Sequence, residues 1–194
     1  MVYYARFEQH GPNDFRFDTR IYLRDEQPDL SKGICIGAIV GKNPGSAVPG
    51  AYGVLAPIPL NGDKMLPSVR NRFVDAFRMA RKTIPLNAYV QVWNLFYLRD
   101  PDLNHACSVL EDLQDPPQCT TEEQKAMIVW IAWGGDDGRL NPFKARFKLC
   151  GQSAFYYCHR QGRIVPRMPS SVDFAKHPQG LPAAPVVAHL AALV

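Results

Sequence analysis

Several signatures that would narrow the function at once are missing from this chain. It has no apolar run approaching the roughly 20 residues that span a bilayer, and segment 1–8 lacks the basic start and long apolar stretch of a signal peptide. Its five cysteines are odd in number and show no C-x-x-C spacing. We therefore expect a cytoplasmic protein with free thiols, without a zinc site or a disulfide framework. The cysteines are Cys35, Cys107, Cys119, Cys150 and Cys158.

A strong charge of either sign is missing as well. The 194 residues carry a formal net charge of +4, which permits a nucleic-acid partner without requiring one. There is no internal repeat, low-complexity segment or Pro/Gly-rich linker, so we predict a single domain over residues 1–194. We place its core at 34–190 and interpret 1–30 as edge strands or an extension, because polar and aromatic residues alternate there.

What the sequence does contain is an alternation of short apolar runs and helical patterns. The runs 34–40, 88–96 and 127–133 are typical of buried strands. Segments 68–82 and 185–193 carry apolar residues at helical spacing. This order predicts an α/β fold, with a three-layer α/β/α arrangement around a central, mostly parallel sheet of four or five strands.

The first chemically suggestive motif, Gly41-Lys42-Asn43-Pro44-Gly45, directly follows the first predicted strand. Ligands of parallel sheets bind beyond the carboxyl ends of the strands. The glycines let the backbone approach a ligand, and the proline stiffens the turn. The amide of Asn43 is then free to bind a water or a base edge. An ordinary strand-ending turn uses the same residue types, so both interpretations stay open.

Three further motifs each allow a functional and a structural interpretation. On the first predicted helix, Arg72 is either a phosphate ligand or a solvated charge, and Phe73 lies on the apolar stripe. Asn94, at the end of an apolar strand, either binds a base edge or caps a turn. In the loop His177–Pro182, Leu181 is either a wedge held on a stiff turn or a core residue.

The order and spacing of these motifs resemble the uracil-DNA glycosylase superfamily, most closely its mismatch-specific uracil/thymine branch. That branch has a G-x-N-P-G strand end, an N-R-F-W helix start, a polar strand end followed by Arg, a strand ending in L-G-K and an H-P-S-P-L loop. Here Val74 replaces the tryptophan and Gln179 the serine. Similar N-P-S and N-L-F-x-x-R motifs occur in an uncharacterised bacterial family. The resemblance covers roughly 34–190, through segments 41–45, 71–73, 94–99, 131–134 and 177–181.

The resemblance implies a DNA glycosylase, a hydrolase that flips a pyrimidine out of DNA and cuts its N-glycosidic bond without metal or cofactor. The partner would be single- or double-stranded DNA, and the location the nucleoid. Asn43 would position the water that attacks the sugar C1′. His177 would donate a hydrogen bond to the pyrimidine O2 as charge develops on the departing base. The base would be uracil, mismatched thymine or a modified pyrimidine such as those of phage DNA, the last implying a role in defence.

The same resemblance implies the residues that bind base and DNA. Asn94 would bind the Watson–Crick edge of the flipped base. Tyr52, or Phe73 in its place, would stack on the base, and Gly41 and Pro44 would complete the pocket. The expected DNA contacts are Leu181 as the wedge, its neighbours Gly180 and Gln179, and the cations Lys42, Arg72 and Arg99.

Two other functions fit these motifs. One is a glycosylase-like module that binds nucleic acid with little or no catalysis, since the first motif contains no carboxylate to act as a strong general base. The other is an enzyme on the same fold that acts on free nucleotides. A domain whose Asn, His and Pro/Gly loops only form turns is disfavoured, because turn residues alone do not explain four motifs in the family's order.

Overall fold

Apolar runs and capping residues determine where the strands and helices form. The computed structural model describes residues 2–45, 47–135, 137–149 and 153–194, which leaves Cys150 outside, and the other four cysteines are free thiols. Within this part there are eight strands and four α-helices. The strands are β1 (Tyr3–His10), β2 (Asn13–Tyr22), β3 (Ile34–Gly41), β4 (Leu55–Pro57), β5 (Ala88–Asn94), β6 (Ile128–Ile131), β7 (Ser153–Cys158) and β8 (Arg163–Val165). The helices are α1 (Met65–Met79), α2 (Leu103–Asp112), α3 (Asn141–Ala145) and α4 (Ala183–Ala191).

The strands of the described residues form one mixed sheet in the order β4-β1-β2-β5-β3-β6-β7-β8. Its centre, β5-β3-β6-β7, is parallel, and Gly41 at the end of β3 pairs with Asn94 at the end of β5. The prediction of a mostly parallel sheet of four or five strands is therefore wrong for the sheet as a whole. The reason is that β1, β2, β4 and β8 all join by antiparallel pairing.

The N-terminal hairpin belongs to the interior of this sheet. β2 lies between β1 and β5 and pairs with β5 from Thr19 onward, while β4 and β8 are the outermost strands. Phe15 and Phe17 pack into one apolar cluster. Because side chains alternate along a strand, Arg16 points to the opposite face, where it is 1% exposed. The strands predicted within 1–30 thus exist as β1 and β2, but β4 and β5 flank them, so they are not the edge of the sheet.

Two apolar clusters cover the two faces of the sheet. Ile39 of β3 shares one cluster with Phe73 of α1 and Val186 of α4. Its neighbour Val40 belongs to the second cluster, which contains Leu110 of α2. The parallel strands are buried on both sides, which explains why they read as continuous apolar runs.

Carboxylates just before α1 and α2 bind the first backbone N–H groups of these two helices. α1 begins at Met65, earlier than predicted, because the carboxylate of Asp63 accepts hydrogen bonds from the backbone N–H of Met65 (2.7 Å) and Leu66 (3.2 Å). α2, which the sequence pattern did not reveal, follows Asp102, whose carboxylate accepts from Asn104 N at 2.8 Å. None of the helices in the described ranges has the length and apolar character needed to cross a membrane.

Candidate functional site

A cleft of about 370 Å³ opens beyond the carboxyl end of β3, beside the first turn of α1. It brings together Asn43 and His177, the two predicted catalytic residues, with Pro44 and Gln179. Since these residues come from opposite ends of the chain, only the parallel topology makes them neighbours. The cleft is lined by Arg16, Asn43, Pro44, Gly45, Ala47, Leu60, Asn61, Gly62, Asp63, Lys64, Met65, His177 and Gln179.

Asn43 is held in one orientation. Its Nδ2 donates a hydrogen bond of 2.7 Å to the carbonyl oxygen of Asp100. That donor contact orients the carboxamide, because a carbonyl oxygen can only accept. The half-buried side chain keeps its Oδ1 without a hydrogen-bond partner among the described residues. This oxygen is therefore an acceptor available to a water molecule in the cleft.

His177 is held in one tautomer. The backbone N–H of Gln179 donates to its Nδ1 over 3.3 Å, so the ring proton lies on Nε2. Burial lowers the pKa of His177, Asp63 opposes this shift, and Lys42 adds to it. The ring is consequently a neutral imidazole with a free Nε2–H, which suits a hydrogen bond to an oxygen that gains negative charge.

Arg72 holds the loop that carries His177. Its Nη2 donates to the carbonyl oxygens of Leu181 (2.8 Å) and Pro178 (3.3 Å). Its Nη1 donates to the carbonyl oxygen of Ser68 at 2.9 Å. The residue is 8% exposed and does not line the cleft. The expected phosphate contact is thus replaced by a structural one, in which the guanidinium fastens the loop to α1.

The side chain of Asn94 is buried without partners. It is 1% exposed, and neither its Nδ2 nor its Oδ1 has a hydrogen-bond partner in the described part of the chain. It does not cap a turn. A Cβ on Gly41 would lie 2.9 Å from Asn94 Oδ1 and 4.0 Å from the sulfur of Met65, which lines the cleft. The glycine at the end of β3 therefore makes room for this amide next to the cleft.

Two predicted contacts are contradicted by burial. Leu181 is 6% exposed and Phe73 is 0% exposed, and both belong to the apolar cluster between α1, α4 and the sheet. The reason is that Leu181 leads directly into α4, which packs against α1. Leu181 is therefore not presented as a wedge, and the ring of Phe73 has no free face for a base.

The other predicted contacts lie outside the cleft lining. Tyr52 is 48% exposed, and its hydroxyl donates to Asp14 Oδ1 at 2.9 Å. Arg99 donates through Nε to the carbonyl oxygen of Ala47 and through Nη1 to Asp14 Oδ2 at 3.3 Å. It therefore ties the loop after β3 to β2. Neither side chain lines the cleft.

The remaining two predicted residues flank the site. The Lys42 ammonium lies over the turn after β6, where a Cβ on Gly134 would be 3.8 Å from its Nζ. Gly180 is exposed and has a φ of +73°, a left-handed conformation that favours glycine at the tip of the His177 loop. Both are placed at the same end of the sheet as the cleft, but neither lines it.

Arg16 is a cleft residue that the sequence did not reveal. It is 1% exposed, and its Nε and Nη1 have no hydrogen-bond partner among the residues described. Burial lowers its pKa to about 10, an effect that Asp63 opposes. In the sequence Arg16 alternates with Phe15 and Phe17, a pattern typical of a solvated polar face. That face is buried only because other elements of the fold pack around β2.

The cleft thus offers an acceptor oxygen on Asn43, a neutral N–H donor on His177 and a buried cation on Arg16. Over the residues that the structure describes, no group of three or more His, Cys, Asp or Glu side chains is arranged to hold a metal ion. No protein-family model, curated protein or solved structure matches the chain.

Proposed function

We propose that this protein is a DNA glycosylase that hydrolyses the N-glycosidic bond of an aberrant or modified pyrimidine. One observation carries the proposal: Asn43 and His177 line the same cleft at the end of the parallel strands, each with the free hydrogen-bonding atom that the reaction needs. The two apolar clusters on opposite faces of the sheet support the three-layer α/β/α arrangement of such an enzyme.

The reaction follows from these two groups. Asn43 Oδ1 accepts a hydrogen bond from a water and directs its oxygen at the sugar C1′. The C1′–N1 bond breaks and its electron pair leaves with the base, while a bond forms between C1′ and the water oxygen. His177 Nε2–H donates to the pyrimidine O2, where negative charge gathers. The proton of the attacking water passes to solvent, since a carboxamide is not a base.

The buried amide of Asn94 supplies recognition of the base. Its unpartnered Nδ2 and Oδ1 match one acceptor and one donor on the edge of a pyrimidine. Two unpaired buried polar atoms raise the free energy of the unliganded protein. A ligand that pairs them therefore binds more tightly and more specifically. Asn94 does not itself line the cleft, so the proposal requires the base to reach this amide past Met65, which does line it.

Base release from short oligonucleotides tests the proposal. The panel contains uracil, G·U, G·T and hydroxymethylated or glucosylated pyrimidines, and alkali reveals abasic sites. We expect release from at least one substrate. The rate of release should fall about 100-fold in the Asn43→Ala variant, because the attacking water is no longer positioned. Asn71→Ala, an exposed asparagine on α1, is the matched control and should retain the wild-type rate.

Two results contradict catalysis and separate the alternatives. No release with DNA binding that weakens steeply as salt rises would indicate a nucleic-acid-binding module, because salt sensitivity reports phosphate contacts. No release and no salt-sensitive DNA binding, with binding of a free nucleotide, would indicate an enzyme or binding protein for small nucleotides.

A further inference from the structure

The cleft contains a buried positive charge for which the proposed reaction has no role. The side chain of Arg16 is 1% exposed, and two of its three guanidinium nitrogens, Nε and Nη1, are buried without a partner in the described residues. Burying a charge without a partner is unfavourable. Such an arrangement is expected where a ligand completes the pair.

The nearby carboxylates form no hydrogen bond or ion pair with Arg16 in the described residues. Asp63 lines the same cleft and partly offsets the charge of Arg16, but its Oδ1 accepts from the first two backbone N–H groups of α1, at 2.7 and 3.2 Å. Asp14 accepts from Arg99 and Tyr52. With a pKa of about 10, Arg16 remains a cation at neutral pH. Its charge is therefore available to a group that enters the cleft.

Apart from Asp63, the polar lining also favours a negatively charged group. Lys64 adds a second cation, and His177 offers its Nε2–H. A guanidinium presents planar N–H donors that match the two oxygens of a carboxylate or phosphate. The volume of about 370 Å³ lies in the range of small-molecule sites.

We propose that the cleft is an oxyanion site, in which the Arg16 guanidinium binds a carboxylate or phosphate group of the ligand. In the proposed glycosylase this group is either a phosphate next to the flipped nucleotide or an acidic substituent on the base itself. The inference rests on the proposed function in taking the same cleft as the ligand site. Its test measures binding of small probes and requires no base release, so the two can fail separately.

The experiment measures binding of four probes to the full chain in phosphate-free buffer. The probes are inorganic phosphate, 2′-deoxyuridine 5′-monophosphate, the pyrimidine carboxylate orotate and neutral 2′-deoxyuridine. Calorimetry gives Kd, and thermal unfolding gives the stability of each unliganded protein. The variants are Arg16→Met and Arg16→Lys, with Arg78→Met as control, since Arg78 is an exposed arginine paired with Asp75 on α1.

We expect at least one anionic probe to bind wild type and Arg78→Met about tenfold or more tightly than deoxyuridine does, because hydrogen bonds to charged groups are the strong ones. Arg16→Met should abolish this difference, and Arg16→Lys should restore part of it. Unliganded Arg16→Met should unfold at the wild-type temperature or above, because an unpaired buried charge is gone. Preference for orotate identifies an acidic base, and preference for the monophosphate or phosphate identifies a phosphate.

Three results would overturn the proposal. In one, no anionic probe binds more tightly than deoxyuridine. In another, Arg16→Met keeps the wild-type preference. In the third, Arg16→Met unfolds well below wild type or fails to fold, which would show that the guanidinium stabilises the unliganded protein.

Discussion

At the scale of single residues, one backbone contact decides the chemistry that His177 can perform. The N–H of Gln179 occupies Nδ1, and burial keeps the ring neutral, so the imidazole donates through Nε2. A charged ring would have to give up the Gln179 contact, because a protonated Nδ1 cannot accept. The loop sequence His177-Pro178-Gln179 thereby selects a donor rather than a general base.

Part of the pH dependence of stability comes from this histidine, whose pKa burial lowers as it lowers the pKa of His189. Its pKa is lowered in the folded state, so as pH falls the unfolded chain takes up the proton first. The contribution of His177 to the free energy of unfolding is complete above its ordinary pKa of about 6.5 and decreases as pH falls through that value. We expect His177→Asn to flatten the change between pH 7.5 and 5.5 in urea titrations. His159→Asn, at an exposed histidine, is the matched control, and an equal effect of both variants would contradict the assignment.

The burial of Leu181 leads to a second prediction about a single residue. Leu181→Ala should lower the free energy of unfolding by about 2–5 kcal/mol, because it leaves a cavity in the cluster shared by α1 and α4. Val172→Ala, at a valine that is 65% exposed, should change it by less than about 0.5 kcal/mol. Denaturant unfolding measures both. A Leu181→Ala protein of wild-type stability that bound DNA poorly would restore the wedge interpretation.

At the scale of elements, α1 positions two parts of the cleft, the lining at its own N-terminus and the loop that carries His177. Its N-cap residue Lys64 and its first residue Met65 line the cleft. Two turns further along, Arg72 reaches across to the His177 loop. A single helix therefore sets the distance between the loop that carries His177 and the end of β3. Displacement of that loop would separate His177 from Asn43.

Arg72→Ala tests this coupling. It removes the donor from the carbonyl oxygens of Pro178 and Leu181, so we expect a loss of about 1–3 kcal/mol in unfolding free energy. If the protein is a glycosylase, base release should fall as well, because His177 is no longer held. The control Arg78→Ala lies on the exposed side of the same helix, and its effect should be within about 0.5 kcal/mol. Unchanged stability in Arg72→Ala together with weaker DNA binding would instead support a phosphate contact.

At the scale of the whole molecule, the N-terminal hairpin completes both the sheet and the cleft. β2 pairs with β5, which is therefore not an edge strand, and it contributes Arg16 to the cleft lining. Phe15 and Phe17 of β2 belong to one apolar cluster. Phe7 of β1 and Ile21 of β2 belong to the other. The hairpin is therefore packed on both faces of the sheet.

A chain that begins at residue 27 should lose cooperative thermal unfolding, because β5 becomes an unprotected edge and both clusters lose large side chains. Near-UV circular dichroism and a melting curve measure this. Addition of a separate peptide spanning 2–26 should restore part of the signal. A truncated chain that melts like the full one would show that 1–30 is an extension after all.

Much of the central fold was accessible from pattern alone. The runs 34–40, 88–96 and 127–133 became β3, β5 and β6, because strands buried on both faces must be apolar throughout. Ligand binding at the ends of parallel strands singled out the loops that carry Asn43 and His177, which share the cleft, while the catalytic roles came from the family resemblance and stay predictions. Strands were predicted within 1–30 as well, but their antiparallel pairing with β5 and β4 was not accessible, since strand pairing is decided by partners distant in the chain.

The amino-acid sequence by itself determined the alternation of strands and helices and the turn chemistry that places Asn43 and His177 after them, because these depend on local periodicity and on neighbouring residues. Only the tertiary structure decided which side chains face solvent. It buried Leu181 and Phe73 in the core and made Arg72 the donor that holds the loop. It also buried Arg16 with Nε and Nη1 unpartnered among the described residues. The physical reason is that burial depends on every element packed around a residue, and those elements come from distant parts of the chain.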